Sequence, residues 1–152
     1  MVNKANWKEI MAEIKNEVQI LLNEVRKWAE SRPEILGVAL VGSYARNEAR
    51  ADSDVDFVLL ASVPQEFIKK PEWINTFGVV KSCTVEDWGL VTSLRVYYEG
   101  GPEVEYGLTS SEWASEPVDE GTSQVISDGM QILLDKAGLL DRALREVTNK
   151  HK

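Results

Sequence analysis

A chain of 152 residues with 43% hydrophobic side chains has the size and apolar content of one compact domain, and no internal repeat or linker divides residues 1–152. Its formal charge of -8, from 17 basic and 25 acidic residues, argues against a nucleic-acid polymer as partner, while a nucleoside triphosphate stays admissible if metal and local basic groups offset its charge. The single cysteine, Cys83, excludes an internal disulfide framework and a multi-cysteine zinc site, and the single histidine, His151, next to the C-terminus, gives poor support to Ser-His or Cys-His catalysis, which leaves carboxylates, hydroxyls and metal to do any chemistry.

The first residues lack an apolar run of signal length, and no segment reaches the roughly 20 apolar residues that span a bilayer, so a cytoplasmic protein without membrane contact is expected. From Trp7 onward, Ile10, Ile14, Val18, Leu21, Leu22, Val25 and Trp28 recur at three- and four-residue intervals, which predicts a long amphipathic N-terminal helix closing before Pro33. Ile35 to Val41 is a nearly all-apolar run ending at Gly42, as for a strand buried on both faces, and the polar, alanine-containing Ser43 to Arg50 predicts a short helix. Val55 to Leu60 is a second such run. Pro64 opens a helical stretch to about Lys70.

Val79 to Val85 and Leu90 to Tyr98 are rich in β-branched and aromatic residues, and Glu99-Gly100-Gly101-Pro102 turns the latter back onto Glu103 to Leu108 as a hairpin. A helix from about Asp119 to Ser127, a strand from Met130 to Leu134 and a closing amphipathic helix from about Ala137 to Val147 complete the series. The expected class is α/β (α+β): a mixed β-sheet of about five to six strands flanked by helices.

The stretch that carries chemistry is Val41-Gly42-Ser43-Tyr44-Ala45-Arg46 followed by Asp52-Ser53-Asp54-Val55-Asp56-Phe57. Alternation along a strand points Asp54 and Asp56 to one face and Val55 and Phe57 to the other. Two carboxylates beside a buried strand call for a cation, and a hard, oxygen-seeking ion such as Mg²⁺ suits them; two such ions suit in-line phosphoryl chemistry. Gly42 lets backbone approach a phosphate closely, and the Ser43 hydroxyl adds a donor. Arg46 stands either as a triphosphate contact or as a solvated helix residue. Arg95 either reaches the site or pairs with Glu103. The aromatic residues Trp73, Trp88, Trp113, Tyr97 and Tyr98 read first as packing.

The Gly42-Ser43 pair, ten residues (44–53), and then Asp54-Val55-Asp56-Phe57 resemble the signature of the nucleotidyltransferases of the DNA polymerase β superfamily, in particular the small bacterial ones. The resemblance covers roughly residues 35–110. It departs at Asn47, where the family often has glycine. It implies transfer of a nucleoside monophosphate, AMP from ATP, to a hydroxyl of a small molecule such as an aminoglycoside or of a protein, with release of pyrophosphate. It also implies a third carboxylate on a later strand, for which Glu105 is favoured over Glu103, completing a catalytic and metal-binding set of Asp54, Asp56 and Glu105 with Gly42, Ser43 and Arg46 on the nucleotide. The larger relatives add a helical domain, which a partner protein or a second copy would have to replace. The reading from a different class is a non-catalytic, antitoxin-like module that keeps the fold.

Overall fold

The structure, a computed structural model, describes residues 16–50 and 52–150. The leading part of the predicted N-terminal helix, residues 7–15, lies outside the described residues. Its remainder is α1, Asn16–Glu30, whose Val18, Leu21, Leu22, Val25 and Trp28 form the buried stripe that the spacing predicts. Six strands follow: β1 (Ile35–Val41), β2 (Val55–Ala61), β3 (Val80–Asp87), β4 (Thr92–Tyr98), β5 (Glu103–Thr109) and β6 (Gln131–Asp135). They form one mixed sheet in the order β3-β4-β5-β2-β1-β6, with β2 and β5 parallel and the other pairs antiparallel.

Alternation along the strands divides the core in two. On one face, Val38, Phe57, Leu59, Leu94, Val96, Val104 and Tyr106 pack under α1 and the segment 64–77; on the other, Ala39, Val58 and Leu60 pack under α4 (Glu120–Asp128) and α5 (Leu139–Lys150). On the first face Phe57 and Tyr106 stack at 5.6 Å between ring centroids, and Trp73 stacks on Trp28 at 4.9 Å. The second cover reaches only part of the sheet. Toward β5, β4 and β3 the same face turns polar, and that is where the carboxylates lie.

Local differences from the sequence reading have identifiable causes. The helix expected over Ser43 to Arg50 shrinks to α2, Gly42–Ala45, because Asn47 adopts the left-handed φ of 60° that turns the chain out of the helix. The helix opened by Pro64 is α3 (Pro64–Lys69), as expected, and a 3₁₀ segment that the sequence reading lacks, Pro71–Phe77, follows it, started by a second proline. The strand expected from Leu90 begins at Thr92, since residues 88–91 form the β3–β4 turn, closed by Trp88 N–H donating to the Val91 carbonyl at 2.8 Å. A further 3₁₀ segment, Ser111–Ala114, buries Trp113.

Candidate active site

Strand register builds the site. Thr84, Arg95, Glu105, Asp56 and Val41 are successive partners across β3, β4, β5, β2 and β1, so their side chains form one row on the polar face. Asp56 and Glu105 are neighbours across the parallel pair. Asp54 stands two residues before Asp56, one position ahead of the start of β2, and so shares its face from the approach to the strand rather than from within it. Single oxygens of Asp54, Asp56 and Glu105 lie within 4.8 Å of one another.

Gly42 is fixed by the same row. Val41 is the register partner of Asp56, and the chain turns directly over that aspartate with a φ of +74° at Gly42. A Cβ at this position would lie 2.1 Å from the Asp56 Oδ2. Both the backbone angle and the contact therefore require glycine. Ser43 follows as the second residue of α2, and its hydroxyl makes no hydrogen bond among the described residues. Arg46 caps the end of α2 and pairs with Glu48 at 2.8 Å, not with the three carboxylates.

Arg95 is the centre of charge. Its guanidinium donates to Glu86 at 2.9 Å and to Asp54 at 3.3 Å, and also to Glu103 and Glu105. Ser93 Oγ donates to the second oxygen of Glu105 at 3.3 Å. The two alternatives for Arg95 are thus both realised: it meets Glu103 and it reaches the site. Glu86 and Ser93 are additions from the structure, and only the β3–β4 register, which aligns them as partners, reveals them.

One arginine does not neutralise this cluster. Burial, and then the adjacent Asp54, push the Asp56 carboxyl up to about 8. Burial also raises Glu105, opposed by Arg95 and by the Ser93 hydrogen bond. The carboxylates around Arg95 outweigh its own desolvation and keep it charged. Asp56 receives no hydrogen bond from Arg95, so the deepest of the three carboxylates lacks a direct counter-charge.

Of the aromatic residues, Trp73, Trp113 and Tyr98 are buried packing, with Tyr98 Oη 2.8 Å from Tyr106 Oη and from the Ile74 carbonyl; Trp88 and Tyr97 are exposed.

The streptomycin adenylyltransferase family model matches residues 14–152. No curated protein matches the chain. Among solved structures, an aminoglycoside 6-adenyltransferase from Bacillus subtilis is similar at 14% identity and a TM-score of 0.50, over 66% of this chain and 37% of that one. A CCA-adding enzyme, solved as its complex with CTP, is similar at 13% identity and a TM-score of 0.50, over 95% of this chain and 35% of that one. At these identities the likeness is one of fold, and the chain spans little more than a third of either structure. With the family model covering all but the first residues, the chain belongs to the streptomycin adenylyltransferase family and carries the nucleotidyltransferase fold of the DNA polymerase β superfamily.

Proposed function

We propose that this chain transfers a nucleoside monophosphate, AMP from ATP, to a hydroxyl acceptor and releases pyrophosphate. The observation that carries this reading is the meeting of Asp54, Asp56 and Glu105 within 4.8 Å beneath the Gly42 turn, in a chain of this family. The donor set fits a hard divalent cation: three carboxylates converge, and the partly buried Asp56 lacks the counter-charge that would keep it ionised near neutral pH. Asp54, Asp56 and Glu105 would hold Mg²⁺, two ions in the full reading, which when bound would offset triphosphate charge and activate the acceptor oxygen.

The protein's own groups divide the remaining work. Gly42 brings the backbone over Asp56 with no side chain in the way, and the Ser43 hydroxyl is free to donate to a phosphate oxygen. Arg46 reaches a phosphate by exchanging Glu48 for it. Glu105 completes the metal site or accepts the acceptor proton at its carboxylate, in a position held by Arg95 and Ser93. The acceptor is a small hydroxylated molecule, with aminoglycosides first because of the family, or a protein side chain; the net charge of -8 disfavours a nucleic-acid polymer. The reaction is assigned to the cytoplasm, where the triphosphate is available.

One observation favours the non-catalytic alternative: Arg95 already offsets part of the cluster's charge. Thermal melting with ATP, Mg²⁺ or both separates the two readings, combined with mass spectrometry of an aminoglycoside panel and of lysate proteins after incubation with ATP. A shift that requires both ligands, is absent in Asp54→Ala and Asp56→Ala, and accompanies a one-nucleotide mass gain supports transfer. No shift and no mass gain on any acceptor would favour the module.

A further inference from the structure

The four carbonyls of α2 find their donors in two different parts of the chain. Those of Gly42, Ser43 and Tyr44 accept from the backbone N–H groups of Arg46, Glu48 and Asn47, all in the turn that follows. The Ala45 carbonyl instead accepts from Nε2 of Gln131, the first residue of β6, at 3.3 Å and 86 residues away in sequence. A helix of four residues has too few internal bonds to hold its own end. That end is fixed by a side chain from a distant element.

The bond bears on Arg46 directly. The Ala45 carbonyl and the Arg46 N–H belong to one planar peptide unit. The N–H donates to the Gly42 carbonyl at 3.2 Å while the C=O accepts from Gln131, so the plane is held on both sides. The direction of the Arg46 Cα–Cβ bond follows from that plane. One step further out, Gly129 lies against the arginine stem: a Cβ on it would stand 3.0 Å from Arg46 Cγ and 3.7 Å from the carbonyl carbon and oxygen of Ala45. Gly129 has a φ of +142°, and its N–H closes α4 by donating to the Val125 and Ile126 carbonyls at 3.3 and 3.1 Å. The turn from α4 into β6 therefore holds Arg46 twice, with a donor at Gln131 and a bare backbone at Gly129.

The guanidinium has a separate partner, Glu48. When a phosphate takes the place of Glu48, that hold is given up, and the stem keeps its aim through Gln131 and Gly129. We infer that Gln131 and Gly129 are positioning residues for the triphosphate, acting through Arg46, so that the turn from α4 into β6 sets nucleotide affinity from outside the acidic row. An arginine whose stem is already fixed loses less freedom on closing over an anion, and the saving appears as tighter binding. This role rests on the reading of Arg46 as a triphosphate ligand.

Titration calorimetry with two probes tests it, each in the presence of Mg²⁺: α,β-methylene ATP, which is not turned over, and inorganic triphosphate, which lacks the nucleoside. Gly129→Ala and Gln131→Met are each expected to weaken both probes by about tenfold, the scale of one charge-assisted hydrogen bond. Gln131→Met keeps the length of the side chain and removes only its donor, so it carries the test if Gly129→Ala does not fold. In an Arg46→Ala background neither change is expected to cost more than about a further twofold, because the group they aim is gone.

Equal losses with and without Arg46 would make the two residues general supports of the fold and overturn the proposal. So would unchanged affinity in Gln131→Met, or in Arg46→Ala. Each of these results leaves nucleotidyl transfer standing, since the unaltered chain still binds the probes. An unaltered chain that binds neither probe removes the proposal and the transfer reading together.

Discussion

Arg95 on β4 and Glu105 on β5 stand directly opposite each other in the antiparallel register, and their side chains join on the open face of the sheet. Through that pair the guanidinium also gathers Asp54, Glu86 and Glu103, so one basic residue organises an acidic surface drawn from three other strand regions. Such a hub both compensates charge and fixes rotamers, two roles that mutation separates.

Replacing Arg95 by alanine leaves four carboxylates facing one another. With all the groups partly solvated, the loss should be about 1–3 kcal/mol at neutral pH, read from urea midpoints. Millimolar Mg²⁺ should recover more stability in Arg95→Ala than in the unaltered chain, because the ion then supplies charge that the arginine no longer does. Arg95→Lys should retain charge but not the multiple hydrogen bonds, and should fall between the two.

Asp56 crowds Asp54 while lacking a direct basic partner. Asp56→Asn should therefore melt at a higher temperature than the unaltered chain when metal is absent, yet lose the shift produced by ATP with Mg²⁺. Nucleotide transfer should fall on the order of 10²–10³-fold, the scale for removing one group that stabilises charge in the transition state. Melting curves and an ATP-dependent mass assay on the same preparations check both halves.

Gly42→Ala meets two obstacles at once, a φ of +74° and an Asp56 oxygen 2.1 Å from the new Cβ. The backbone cost is about 1–2 kcal/mol. The contact further forces Asp56 out of the row, so the variant should lose metal-dependent stabilisation even where it remains folded. Urea denaturation with and without Mg²⁺ distinguishes the two effects.

Far from the site, Glu146 accepts the Val118 N–H at 2.7 Å and bonds Arg142 at 2.9 Å, and these with Lys150 pull its carboxyl down to about 2. A group whose folded value is depressed stabilises the fold above its ordinary value and loses that contribution as pH falls through the folded one. Glu146→Gln should therefore melt below the unaltered chain at pH 7, with the gap closing as the pH approaches 2. A pH series of thermal melts tests the sign.

Much of this is legible in the residues, and what is not has a common cause. Asp54 and Asp56 can be read because a period of two is local, and Gly42 because a turn between two apolar runs is local. Glu105 is reached from the sequence only through resemblance, since nothing near it specifies that β5 lies parallel to β2. Glu86 and the several partners of Arg95 depend on how β3 and β4 align, and the bulge at Lys81 and the turn at 88–91 set that alignment. The short α2 was hidden for a different reason. Ser43 to Arg50 has acceptable helix formers, and the left-handed Asn47 overrides them.

The parallel β2–β5 pair, the one parallel pair among the described strands, has a consequence for cooperativity. Its members are separated by α3, the Pro71–Phe77 segment and both strands of the β3–β4 hairpin, so Asp56 and Glu105 become neighbours only after that whole excursion has closed. Backbone amides at Asp56 and Glu105 should consequently exchange with solvent deuterium by global opening, while those of the β3 edge exchange by local fraying. The acidic constellation and the protein's last cooperative unit to open would then be the same object.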